Sequence, residues 1–312
     1  MADDTGADTS TVDWAELSGG AGARQVEFKS EDRIVLRGWL KLPSGAGPHP
    51  LVIMAHGFGG LKEWTIPEAA DAFVEAGMAA MAFDYRNFGD SDGTPREEVD
   101  HPGQIADWRS AITFAATLHE IDPERIGVWG TSLGGRNVLV VGALERRLKC
   151  VVAQVPAIDW ADTVLHHQNN ASQREELLRA LEEDRRDRFL GKEPKYVQNQ
   201  TKPGTETATF FETLTESERR NWKGRLALRS YEPNVASNAR PFVPLISPTP
   251  LLMILVEDDI ITPTATQLEA YEAALEPKSL VLLPGRHYDV YASPLKERAI
   301  AAARDWLVGQ LR

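Results

Sequence analysis

The chain has 312 residues with 46 acidic and 34 basic side chains, a net charge of −12, and 42% hydrophobic against 26% charged residues. This is a globular balance, and the length suits one large α/β domain with an insertion or two ordinary domains. An acidic chain with no long Lys/Arg run is a poor match to a nucleic-acid backbone, no run of about 18 apolar residues could span a membrane, and the lone Cys150 can make neither an internal disulfide nor a thiolate zinc site.

In chain order, residues 1–22 are rich in Ala, Gly, Asp, Ser and Thr and predict a flexible tail. Their acidic, polar start lacks the positive and apolar regions of a secretory signal, so a cytoplasmic location is expected. RQVEFKSEDRIVLRGWLKLP alternates apolar and polar residues around a break at Ser30 to Asp32, which predicts a β-hairpin. Short apolar runs follow at 51–57, 78–84, 125–131, 150–155, 251–257 and 279–285, each bounded by Gly, Pro or Asp. Such runs fit strands buried on both faces of a parallel sheet. Amphipathic stretches near 64–76, 103–120, 133–147, 264–275 and 294–310 alternate with them and argue for a doubly wound α/β sheet. Cys150, opening one of these strands, reads as a small buried apolar residue.

One interval breaks the rhythm. Residues 160–249 separate two strands that a far shorter crossover could join. Within it REELLRALEEDRRDRF and FETLTESERRNWKGR read as charged amphipathic helices, so a mostly helical insertion is expected over a core of 23–159 and 250–312. Leu177, Leu178, Leu181, Phe189, Phe210 and Phe211 are its candidates for lining a pocket.

The chemistry concentrates at Gly130-Thr131-Ser132-Leu133-Gly134, a G-x-S-x-G placed after a strand pattern and before a helical one. A serine on that sharp turn projects its hydroxyl above the sheet, and the Leu133 N–H at the helix start can donate to a developing oxyanion. A serine hydroxyl needs a base, and the base a carboxylate to orient it. His287, in the loop after the last apolar run, is the chosen base; His49, His119, His166 and His167 sit in turns, helices or the insertion, and His101 is an outsider. For the acid, Asp259 comes first, Asp258 second and Asp159 third, each following a strand. His56-Gly57-Phe58-Gly59-Gly60 follows another strand and offers the Phe58 N–H as second oxyanion donor, with His56 tying the loop. Trp64 beside it, and Tyr85 or Arg86 in the loop after 78–84, are candidates for substrate contact. There is no phosphate loop, dinucleotide fingerprint or metal-ligating cluster, so neither cofactor nor metal is expected.

HGFGG, FDYRNFGDSDG, DPERIGVWGTSLGG, LVEDDIITP and PGRHYD resemble, in order and spacing, the α/β-hydrolase superfamily, over about residues 25–310 apart from the insertion. Within it the chain is similar to the dienelactone-hydrolase-like and dipeptidyl-peptidase-like branch, which includes bacterial esterases and fungal polyketide transferases and thioesterases. The resemblance implies eight strands with the second antiparallel, a lid after the sixth strand, Ser132, Asp259 and His287 as a catalytic triad, and Phe58 and Leu133 as oxyanion donors. Ser132 stands where dienelactone hydrolases carry cysteine, so their lactone chemistry is not implied. The expected activity is hydrolysis of an ester, lactone or thioester of a small-molecule acyl substrate. Acyl transfer or polyketide release through the same triad is the alternative; a peptidase, a carbon–carbon bond hydrolase and a non-catalytic binding protein rank below it. The edge helices and the tail offer surfaces for a homodimer.

Overall fold

A computed structural model of the protein describes residues 22–166, 170–198, 204–232 and 237–312. The expected tail, Gly22 excepted, lies outside the described residues, as does His167.

The architecture follows from which strands carry apolar residues on both sides. β1 (Ala23–Lys29) and β2 (Val35–Lys41) form the expected antiparallel hairpin, and β1 keeps the period-two burial of a strand with one wet face. β3 (His49–Ala55), β4 (Ala79–Phe83), β5 (Ile121–Thr131), β6 (Leu148–Gln154) and β9 (Leu251–Val256) are buried over most of their length. With β10 (Lys278–Leu283) they complete an eight-stranded sheet in the order β1-β2-β4-β3-β5-β6-β9-β10. β2 runs antiparallel to β4, and every pairing from β4 to β10 is parallel. β10 departs from the expectation of a strand covered on both faces: it is the sheet edge, and Leu282 is 43% exposed.

Helices cover both faces and create two apolar layers. α1 (Pro67–Glu75) and α9 (Leu295–Gln310) bring Phe73, Ala303 and Leu307 onto one face. α2 (His101–Ala115), α3 (Leu133–Leu144) and α8 (Thr264–Ala273) bring Trp108, Val138 and Ala270 onto the other. α2 begins where Asp100 caps it, accepting a hydrogen bond from the Gly103 N–H at 3.1 Å. Cys150 lies buried in β6, and burial pushes its thiol pKa up to about 12, which suits an inert apolar residue.

Between β6 and β9 the chain leaves the sheet through α4 (Trp160–His166), α5 (Ala171–Phe189), β7 (Tyr196–Gln198), α6 (Glu206–Thr213), α7 (Glu216–Arg219) and β8 (Arg225–Ala227). β7 and β8 pair as a two-stranded antiparallel ribbon that the helical reading did not anticipate. The single helix expected over 211–225 is instead broken. Thr205 starts α6 earlier by capping the Ala208 N–H, and at Thr215 a reciprocal capping box with Glu218 ends one helix and starts the next. Phe189 also departs from expectation: it is 89% exposed at the end of α5, whereas Leu181 is buried. The return segment closes on the start, with Asn238 Nδ2 donating to Asp159 Oδ2 at 2.9 Å and the Ala239 N–H to Ile158 O at 2.8 Å. No described helix is long and apolar enough to cross a membrane.

Candidate active site

Ser132 sits between β5 and α3 with φ 56° and ψ −118°, a left-handed conformation that costs a side-chain-bearing residue of order 1–3 kcal/mol. The surrounding backbone fixes it there: its N–H donates to Gln154 O at 2.9 Å, and its carbonyl accepts from Arg136 N at 3.1 Å and Ala157 N at 3.0 Å. Space explains the glycine two residues on. A Cβ at Gly134 would lie 2.5 Å from His56 O and 2.6 Å from Ala55 O, so any side chain would drive α3 away from β3. On the other flank a Cβ at Gly57 would lie 3.0 Å from Ser132 Cβ, which puts the loop after β3 directly against the serine.

His287 Nε2 lies 3.2 Å from Ser132 Oγ, and its Nδ1 lies 2.8 Å from Asp259 Oδ2. A carboxylate can only accept, so Nδ1 carries the proton and Nε2 is free to receive the Ser132 hydroxyl hydrogen. Asp259 is buried and held from several sides. Oδ1 accepts from the N–H groups of Ile261 at 2.9 Å and Thr262 at 2.7 Å, and Oδ2 from the Thr262 hydroxyl at 2.8 Å and Gln267 Nε2 at 3.2 Å. Burial alone would raise its pKa; the adjacent His287 and these hydrogen bonds outweigh it, so the carboxyl titrates below its ordinary range. The two rival acids are elsewhere: Asp258 is exposed, and Asp159 is engaged by Asn238.

Phe58 and Leu133 flank the serine, one on the loop carrying Gly57 and one at the first position of α3. Among the described residues neither N–H donates to a protein acceptor. His56 does tie its loop: it is buried, its Nδ1 is 2.9 Å from Gly57 O, and its ring packs edge-on against Tyr85 at 4.9 Å. The loop after β4 braces the same segment, Asp84 accepting from the Lys62 N–H at 2.9 Å and the Asp90 N–H at 3.0 Å.

Ser132 and His287 open into a cavity of about 1110 Å³ walled by aromatic residues from both the core and the insertion. Phe58 packs on Trp160 with centroids 4.3 Å apart, Trp64 meets Phe211 edge-on at 5.7 Å, and Phe210 stacks on Tyr288 at 4.7 Å. Trp64, Leu177, Phe210 and Phe211 line it. Tyr85 and Arg86, the candidates for substrate contact in the loop after β4, do not. The Tyr85 hydroxyl is fully buried, accepting from Trp108 Nε1 at 2.8 Å and from Asn137 Nδ2 at 3.0 Å. Arg86 donates to Asp107 at 2.8 and 3.0 Å and to Asp32 at 2.8 Å, so its charge is spent on joining the hairpin to α2.

Sequence reasoning missed Thr262 and Gln267, which orient Asp259, and Tyr288 and Tyr291, which flank the imidazole. The spacing Asp259-x-x-Thr262 was the available signal, since an Asp side chain turning back onto backbone N–H groups a few residues ahead is a common loop device. Among the described residues no group of three or more His, Cys, Asp or Glu is placed to hold a metal.

Residues 32–289 match the family described as X-Pro dipeptidyl-peptidase, S15. The polyketide transferase grgF of a Penicillium species is 31% identical over 85% of this chain and 89% of that protein. A thiohydrolase of Eupenicillium brefeldianum is 29% identical over 86% of this chain and 88% of its own. The crystal structure of the α/β hydrolase GrgF from Penicillium sp. sh18 superposes with a TM-score of 0.79 at 29% identity, covering 93% of this chain and 99% of that one. The chain belongs to the S15 X-Pro dipeptidyl-peptidase family and is an enzyme of the α/β-hydrolase fold.

Proposed function

We propose that the protein hydrolyses a carboxylic ester or related acyl bond through an acyl-enzyme on Ser132. The observation that carries this reading is the hydrogen-bonded line Ser132–His287–Asp259 at the floor of an aromatic cavity. His287 Nε2 takes the Ser132 proton as Oγ attacks the carbonyl carbon, and the Asp259 carboxylate stabilises the imidazolium that forms. The N–H groups of Phe58 and Leu133 hold the oxyanion, and the imidazolium gives its proton to the departing group. Water, deprotonated by His287, then releases the acid and restores Ser132. The insertion acts as a lid whose aromatic side chains exclude bulk water from this step.

Two features favour an acyl bond outside a peptide. Two relatives matched over most of their length are named a polyketide transferase and a thiohydrolase, and the walls around the serine are aromatic. A second reading, transfer of the acyl group to an alcohol or thiol, is favoured by size: the cavity exceeds the roughly 300–1,000 Å³ usual for one small molecule and has room for acyl group and acceptor together. A cytoplasmic setting fits a chain whose one cysteine is a buried thiol.

Ser132→Ala is expected to abolish labelling by a fluorophosphonate probe and to lower p-nitrophenyl ester turnover by at least about 10⁴-fold. Undiminished hydrolysis by that variant would sink the acyl-enzyme. Product analysis with and without an added alcohol separates hydrolysis from transfer.

A further inference from the structure

Among the described residues three tyrosines line the cavity, Tyr231, Tyr288 and Tyr291, and their hydroxyls differ. That of Tyr288 donates to Thr207 Oγ1 at 3.0 Å, and that of Tyr291 shares a hydrogen bond with Thr131 Oγ1 at 2.6 Å. The Tyr231 hydroxyl meets no hydrogen-bond partner among the described residues, yet its oxygen keeps solvent-accessible surface. It also lies deep in the protein, where burial raises its pKa to about 12 and keeps it a neutral O–H donor. A hydroxyl both deep and accessible opens into the cavity that its residue lines. The rest of the residue is firmly held. Tyr231 ends a 3₁₀ turn, Leu228–Tyr231, in which the Ser230 carbonyl accepts from Trp160 Nε1 at 3.1 Å and the Ser230 hydroxyl from the Val99 N–H at 3.0 Å. Its ring meets Phe58 edge-on at 5.2 Å and lies tilted 6.4 Å from Trp160. Phenylalanine would make the same ring contacts, so packing accounts for the ring and not for the hydroxyl.

The consequence appears when a ligand enters. Water satisfies an accessible hydroxyl until a ligand displaces it. Phe58 lies on the loop against Ser132, so a substrate placed for attack by the serine comes beside the Tyr231 ring that packs on Phe58. An alkyl chain there would displace the water and return no acceptor, leaving a buried donor unpaired. A carbonyl or ether oxygen replaces the lost bond. A wall that presents such a donor rejects a ligand lacking the acceptor more strongly than a purely apolar wall can.

We propose that Tyr231 is a specificity-determining residue whose hydroxyl donates a hydrogen bond to a second oxygen of the substrate, outside the reacting carbonyl, so that oxygenated acyl compounds are favoured over plain alkyl esters. The position of that oxygen near the reacting centre rests on the acyl-enzyme reading above. The test measures dissociation constants without turnover, in the Ser132→Ala background, for propyl hexanoate, propyl 3-oxohexanoate, propyl 4-oxohexanoate, propyl 5-oxohexanoate and 2-methoxyethyl hexanoate. Tyr231→Phe is expected to cost at least one oxygenated ester about tenfold more affinity than it costs propyl hexanoate, about 1.4 kcal/mol. A responding oxo ester puts the recognised oxygen on the acyl chain, and a responding methoxyethyl ester puts it on the alcohol. Propyl hexanoate reports any change in the cavity itself, so the comparison holds within each variant. The proposal is overturned if no oxygenated ester loses about tenfold more than propyl hexanoate, whether all the esters weaken alike or none weakens. Wild-type labelling at Ser132 is read separately: its failure refutes the acyl-enzyme, while the affinity comparison reports on Tyr231 alone.

Discussion

The Tyr288 hydroxyl donates to Thr207 Oγ1 at 3.0 Å, and the Tyr288 ring stacks on Phe210 and meets His287 edge-on at 5.0 Å. One residue therefore couples α6 of the insertion to the imidazole beside Ser132. The coupling ties a helix between β6 and β9 to the residue proposed as the base.

Removing that coupling should act on the chemical step. Tyr288→Phe loses one neutral hydrogen bond, worth about 1 kcal/mol, and is expected to slow fluorophosphonate labelling of Ser132 a few-fold. Tyr288→Ala also loses both ring contacts and should slow it at least about tenfold, with kcat falling more than KM rises. Labelling at the wild-type rate in Tyr288→Ala would show that the imidazole is held without the insertion.

Asp259 gives a second expectation, in which charge and tautomer separate. Asp259→Asn keeps the size but presents an amide to Nδ1, which favours the tautomer with its proton on Nε2, where it cannot accept from Ser132. Turnover should fall about 10³–10⁴-fold at neutral pH. The wild-type carboxyl titrates below its ordinary value of 3.8, so ionisation favours the folded state. Its contribution is complete above that value and is lost as pH falls through the lower folded one. Urea unfolding between pH 3 and 5 should show this acid loss in the wild type and a shallower one in Asp259→Asn. Identical acid profiles would contradict the sign.

The parts of the fold legible in the sequence were those fixed by local pattern. The runs at 51–57, 78–84 and 251–257 fit covered strands, short and bounded by Gly, Pro or Asp, and G-x-S-x-G between strand and helix needed both flanking elements. What was not legible depends on distant partners. Tyr85 looks like a site residue by position, yet its hydroxyl meets Trp108 and Asn137, far along the chain. The break at Thr215 was local and readable, since Thr215-x-x-Glu218 is a capping box, but the charge periodicity through it suggested one continuous helix. Glu206 and Tyr288 could not be paired with the cavity, because nothing in the order of residues says which face of an inserted helix meets the loop after β10.

Two buried histidines set the last prediction. Among the described residues neither ring nitrogen of His101 has a partner, and the ring lies 5.6 Å from Trp160. Burial, with a contribution from Arg136, holds its pKa well below 6.5; burial likewise lowers His56. The folded protein thus resists protonation that the unfolded chain accepts. Stability from these residues is complete above pH 6.5 and is lost as pH falls from there toward the lower folded values, with a limiting slope of roughly 1.4 kcal/mol per pH unit for each. This window lies above that of Asp259, so the two are separable. Burial raises Glu63 to about 7 and Asp107 to about 6, and both act with the opposite sign over this interval, so the diagnostic is the change that one histidine substitution makes in the pH dependence. In His101→Phe, which keeps an aromatic ring against Trp160, the slope of stability between pH 5 and pH 7.5 should become less positive by up to about 1.4 kcal/mol per pH unit, the contribution of one histidine. A slope that His101→Phe leaves intact would assign the pH dependence to other groups and refute the account of His101 as a neutral ring buried in the native state.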